Sequence, residues 1–175
     1  KLKKDGIDHL VFSENLITSG LVLNPEIHWI SYQGLYDFGY LLKLLMNEQL
    51  PKNENEFINM LNVYFPNFSD LRILFKDEKN YFQGGLNRLL NLLKIERKGI
   101  MHQAGSDSIA TIDSFNLGIK IIDDKIITLR KNILYGIGKG KDNSNTINYI
   151  NIGKKIEGLN NNMVIINQMQ QNFNR

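Results

Sequence analysis

The sequence predicts an α/β fold in which helices dominate and strands are few. Three observations carry this. Apolar residues recur at three- and four-residue spacing in one segment after another. Only two short runs are rich in β-branched and aromatic residues. One of those runs hands over to a helix at Tyr36-Asp37-Phe38. The chain has 175 residues, which suits one domain, or one domain with a tail.

The elements follow in order. Ile7, Leu10, Val11 and Ile17 give a helix over 7–19, stopped by Ser19-Gly20. Ile27 to Tyr32 is the first β-like run, broken at Gly34. Phe38, Leu41, Leu42 and Leu45 share one face of a helix from about Asp37 to Met46. After Pro51, the residues Phe57, Met60, Leu61, Tyr64 and Phe65 give a second amphipathic helix ending before Pro66. Phe68 to Leu74 fits a short strand or a helix. Gly84-Gly85 precedes a leucine stripe over 86–93. Residues 99–106 read as a polar loop, and Asp107 to Ile122 as the strongest helix. Leu134 to Gly138 reads as a terminating loop. Beyond Lys141 asparagine and glutamine accumulate, which predicts a mobile tail over 141–175.

Isolated strands cannot satisfy their own backbone donors and acceptors. With so few β runs, the expected sheet partners lie upstream of Lys1, or these runs adopt another structure. The start without methionine suggests a chain cut from something longer.

Hydrophobic residues make up 42% and charged residues 22%, ordinary for a globular protein. There is no cysteine, so disulfides and thiolate-held zinc are excluded. Any metal is then a hard, oxygen-bound ion or one held by histidine. No apolar run approaches the ~18 residues of a membrane span, so no membrane partner is expected. A net charge of +3 permits a polyanion partner without indicating one.

Two segments bear chemistry. In Tyr36-Asp37-Phe38-Gly39-Tyr40 a carboxylate sits where a strand feeds a helix, the edge where α/β folds collect their sites. From position alone a helix N-cap is the favoured explanation of Asp37. In His102-Gln103-Ala104-Gly105-Ser106-Asp107 a histidine precedes an aspartate that opens a helix, with Ser106 and Ser108 as competing caps. A loop folding back brings that imidazole near the carboxylate, where it can take a proton from water. His9 and His28 read as structural. Gly136-Ile137-Gly138-Lys139-Gly140-Lys141 lacks the spacing and the Ser/Thr of a phosphate loop.

These segments resemble a known family. The order Gly6-Ile7, Phe12-Ser13-Glu14, Thr18-Ser19-Gly20, Trp29, Tyr36-Asp37-Phe38-Gly39-Tyr40-Leu41, Phe65-Pro66, Gly84-Gly85-Leu86, His102 to Ser108 and Leu134-Tyr135-Gly136 is similar to that of the CAF-one (Pop-two) ribonucleases. The match runs from about Gly6 to Gly140, so 1–140 is read as the C-terminal portion of such a ribonuclease domain. The resemblance implies a ribonuclease H-like, three-layer fold of the DEDD exonuclease type, N-terminally truncated. It implies poly(A)-specific 3′→5′ exoribonuclease activity on mRNA, releasing 5′-AMP, with two divalent metals, Mg²⁺ or Mn²⁺. Asp37 and Asp107 become the third and fourth acidic metal ligands, and His102 the general base of the DEDDh branch.

It further implies poly(A) RNA as substrate, the Not scaffold and Ccr nuclease of the Ccr–Not complex as partners, and a cytoplasmic and nuclear location. No DNA partner is expected. Contacts with partners fall near Ile17, Lys79 and Tyr135. The family's first two acids, an Asp-x-Glu on its first strand, have no counterpart in this sequence. The expectation is therefore that this chain alone does not hydrolyse RNA. A non-catalytic module binding the Not scaffold is the alternative, and a basic RNA-binding fragment a third.

Overall fold

A computed structural model describes residues 6–76 and 84–140. The 141–175 tail and Lys79 lie outside the described residues.

The first helix, α1 (His9–Thr18), starts where the Asp8 carboxylate accepts from the N–H groups of Leu10 and Val11, at 2.9 and 3.3 Å. Strand β1 (Trp29–Ser31) turns through Gly34 into α2 (Leu35–Met46). A Cβ at Gly34 would collide with the Ser31 side chain, so glycine lets the helix start directly beside the strand end. Asn53 caps α3 (Glu54–Tyr64) through the N–H of Asn55 at 2.8 Å. The ambiguous 68–74 stretch is both of its alternatives in succession: β2 (Phe68–Asp70), then the single-turn α4 (Leu71–Leu74). Then come α5 (Leu86–Leu93), α6 (Ala104–Gly118) and α7 (Asp124–Arg130). A 3₁₀ turn covers Gly138–Gly140. The apolar periodicity passes over α7, a helix of only two turns that Asp123 caps at the Lys125 N–H.

The two β runs pair with each other. β1 and β2 are parallel, with Trp29 opposite Phe68, Ile30 opposite Ser69 and Ser31 opposite Asp70. The outer edge of β2 is covered by Asn132. Its N–H donates to the Phe68 carbonyl, and its side-chain oxygen accepts from the Phe68 N–H, both at 2.9 Å.

Strand side chains alternate between faces, and this alternation divides the core. Trp29 and Phe68 belong to a cluster built with Phe38, Leu42, Phe57, Leu61 and Phe65 from α2, α3 and the chain just beyond α3. Ile30 packs instead into a second cluster with Leu71, Leu74, Phe75, Leu89 and Leu93. The small sheet thus lies between two helical layers. The leucine stripes expected to be core faces are buried at Leu42, Leu45, Leu89, Leu90 and Leu93.

The segment read as a terminating loop is irregular and also packed: Leu134, Tyr135 and Ile137 are buried. Gly138 donates its N–H to Glu54 Oε1 at 2.9 Å, so a carboxylate stands where a phosphate cradle would need an anion. No helix among the described residues is long and apolar enough to cross a membrane.

Candidate active site

One cavity of about 1150 Å³ opens beside the C-terminal end of β1 and is lined by Asp37, His102 and Asp107 together. The three residues singled out from sequence therefore share one surface.

Each arrives by a different route. Asp37 is the third residue of α2, in its first turn and exposed, and Gly34 is the N-cap, so the capping alternative fails for Asp37. Asp107 does not open its helix either. α6 begins at Ala104 with Gln103 as N-cap, and the Asp107 N–H donates to the Gln103 carbonyl at 2.9 Å. Gln103 makes no side-chain cap bond, so neither serine nor Asp107 is needed as a cap. Ser106 points elsewhere, into the hydrogen-bond system of Arg97. His102 is exposed and sits at φ +62°, in the left-handed region, immediately before the N-cap. That conformation is costly for a residue with a Cβ. It turns the chain sharply into α6 with the imidazole at the cavity.

Arg97 has no place in the sequence reading and turns out to be central. Its Nη1 donates to Asp107 Oδ1 at 2.7 Å and to Ser106 Oγ at 3.0 Å. Its Nε donates to Asn87 Oδ1 at 2.8 Å. The Asn87 amide also donates to the sulfur of Met101, another residue of the cavity wall. The only sequence signal is a cation ten residues before Asp107, which is no signal until α5 and α6 are seen to pack together.

Asp70 was missed as well. It is fully buried at the C-terminal end of β2. Its carboxylate accepts four backbone N–H groups: Gln33 at 2.8 Å, Gly34 at 3.2 Å, Arg72 at 3.0 Å and Tyr135 at 3.1 Å. Burial pushes the Asp70 carboxyl up, and these four donors pull it back. Two of them form the turn that launches α2, so Asp70 fixes the helix carrying Asp37.

His28, read as structural, bridges the layers. Its Nε2 lies 2.9 Å from Ser69 Oγ, and its ring meets Phe115 edge-on at 5.2 Å. Burial, and then the Lys131 charge, lower its pKa. Ile17 lies on the exposed side of α1. Tyr135 is 5% exposed, with the Arg72 guanidinium 4.1 Å over its ring.

The donor chemistry suits a hard cation in kind, since Asp37 and Asp107 offer carboxylate oxygens. It is short in number. Among the described residues no group of three or more His, Cys, Asp or Glu side chains comes together to hold a metal ion.

The structural neighbours place the chain in the ribonuclease H-like class, and a parallel sheet between helical layers is in keeping with it. The RNase domain of yeast Pop2 superposes with a TM-score of 0.66 at 28% identity, covering 80% of this chain and 59% of that one. Schizosaccharomyces pombe Pop2p, in a form described as Mg²⁺ and Mn²⁺ bound, gives 0.65 at 37% identity over 78% and 58%. Yeast CAF1 co-crystallised with the NOT1 MIF4G domain gives 0.66 at 30% identity over 74% and 54%.

Among curated proteins, probable CCR4-associated factor 1 homolog 7 of Arabidopsis thaliana is 46% identical over 136 residues, 76% of this chain and 48% of the relative. CCR4-NOT transcription complex subunit 7 of Caenorhabditis elegans is 39% identical over 117 residues, 65% and 38%. No family model matches the chain. The chain belongs to the CAF1 (Pop2) family. It spans about half the length of the curated relatives it matches.

Proposed function

We propose that this chain supplies the Asp37–His102–Asp107 side of a poly(A)-specific 3′→5′ exoribonuclease centre that releases 5′-AMP. The observation that carries the reading is the shared cavity: Asp37 lines it together with His102 and Asp107, which lie 65 and 70 positions further along the chain. Asp37 and Asp107 would hold divalent cations, and two Mg²⁺ or Mn²⁺ ions are the reading's cofactors. When bound, such ions stabilise charge on the attacking and leaving oxygens of an in-line displacement.

The chain's own residues do the rest. His102 takes the proton of the attacking water, the general-base task an imidazole can perform. Asp70 holds the turn that aims α2, and Arg97 holds the carboxylate of Asp107. The chain alone is expected to be inactive, since the family's Asp-x-Glu has no counterpart among its residues. Its partners in this reading are poly(A) RNA and subunits of the Ccr–Not complex, the latter in line with the yeast CAF1–NOT1 structure, and the reading puts the Not scaffold near Ile17.

The experiment is a chimera. Residues 6–140 replace the matching part of S. pombe Pop2p, and Mg²⁺ and labelled oligo(A) are added. Stepwise shortening is expected, with Asp107→Asn or His102→Ala reducing the rate by at least about a hundredfold. Equal rates in those variants and the unaltered chimera would remove the assigned roles. Scaffold capture by a chimera that never shortens RNA would favour the non-catalytic module.

A further inference from the structure

We propose that Arg97 is the positioning residue for Asp107, held in place for that purpose by Asn87, so that one carboxylate oxygen is bound to the protein and the other is presented to the cavity. This rests on the reading of Asp107 as a cation ligand.

The geometry is directional. Arg97 spans two helices: Nε is fixed to Asn87 on α5, and Nη1 is fixed to Ser106 and Asp107 on α6. Its side chain is 15% exposed, against 39% for Asp107, and both residues line the cavity. Among the described residues Arg97 bonds only Oδ1 of Asp107, and no hydrogen bond reaches Oδ2. A guanidinium is a rigid planar fork. Once Nε is anchored, the direction of Nη1 is set, and with it the position of Asp107 Oδ1. The pair also lets Asp37 and Asp107 share one cavity before any cation neutralises them.

Simple electrostatics and positioning predict opposite outcomes for removing Arg97. A positive charge 2.7 Å from a ligand oxygen repels a cation, so by charge alone Arg97→Ala should tighten cation binding. A carboxylate freed to rotate should weaken it, as lost outer hydrogen bonds to ligands generally do.

The test is Mn²⁺ uptake by the Pop2p chimera described above, followed by electron paramagnetic resonance, with thermal unfolding as a control. Arg97→Ala is expected to weaken Mn²⁺ binding on the order of tenfold. Arg97→Lys keeps the charge but not the fork, and should recover only part of that loss. Asn87→Ala keeps both charges and should weaken binding about threefold, by a smaller version of the same outer-contact effect. If Arg97→Ala does not fold, Arg97→Lys and Asn87→Ala decide the matter.

Tighter or unchanged binding in Arg97→Ala and Asn87→Ala, with loss in Asp107→Asn, overturns the positioning role and leaves the nuclease reading intact. A chimera that takes up no Mn²⁺, or whose uptake ignores Asp107→Asn, overturns both.

Discussion

The two halves of the core present their acids by different means. Asp37 stands on the larger, aromatic-rich cluster. Phe38, the next residue along α2, meets Phe65 at 5.0 Å and Phe68 at 5.2 Å between ring centres. Its helix is held by packing and by the Asp70 turn. Asp107 stands on the smaller cluster, behind a loop with three left-handed residues, Lys94, Gly99 and His102. There a guanidinium, rather than a dense core, fixes the carboxylate. One acid is placed by its backbone, the other by its side-chain contact. Substitutions in the two halves should therefore fail differently: in the first by unfolding, in the second by losing direction.

The largest expected effect lies where the halves join. Asp70→Ala leaves four backbone N–H groups without their acceptor, two of them in the turn before α2. Removing the partner of buried donors costs about 1–3 kcal/mol per group before relaxation and water entry. We expect a net loss of roughly 3–5 kcal/mol, the range for breaking a buried charged contact. Urea unfolding measures it. A loss below about 1 kcal/mol, the worth of an ordinary hydrogen bond, would mean that Asp70 does not hold the layers together.

A matched pair of cavity-making substitutions sharpens the contrast. Leu42 is 0% exposed in the larger cluster and Leu89 is 1% exposed in the smaller one. Truncating a buried leucine to alanine costs about 2–5 kcal/mol, more where surrounding groups cannot close the void. Leu42→Ala should fall near the top of that range, because aromatic rings surround it. Leu89→Ala should fall near the bottom, because α5 has only two turns and can settle. Equal losses in chemical denaturation would break the distinction between the two clusters.

Much of this was legible in the sequence, for physical reasons. Helical spacing marked α2, α3 and α5, since each lays one continuous apolar face on a core. The site was legible as residue types at element junctions, and the family resemblance ordered them. Three things were not. The start of α6 was misplaced because a serine or aspartate near a helix start reads as a cap, whereas Gln103 serves with backbone geometry alone. β1 and β2 seemed to lack partners because parallel pairing joins strands across two intervening helices, which no local pattern encodes. Arg97 and Asp70 carry no motif. Their roles exist only where Asn87 meets Arg97 across α5 and α6, and where Gln33, Arg72 and Tyr135 meet one carboxylate.

The smallest effect concerns the seam between β1, β2 and α6, where His28 meets Ser69 and Phe115. Burial and the Lys131 charge both disfavour the imidazolium, so the folded-state pKa lies below the ordinary value of 6.5. The unfolded chain therefore binds the proton more readily, and stability rises with pH across that interval. The contribution is complete above about pH 6.5, the unfolded value. It declines as the pH falls from there through the folded-state pKa. His28→Gln retains a side chain able to reach Ser69 but cannot titrate. Between pH 7.5 and pH 5 the unaltered chain should lose more of its urea midpoint than His28→Gln does. The difference should be smaller than either leucine truncation, because His28 remains partly in contact with solvent and its desolvation is incomplete. Parallel pH curves for the two proteins would show that the imidazole is as well solvated folded as unfolded. The seam would then owe nothing to the neutral ring.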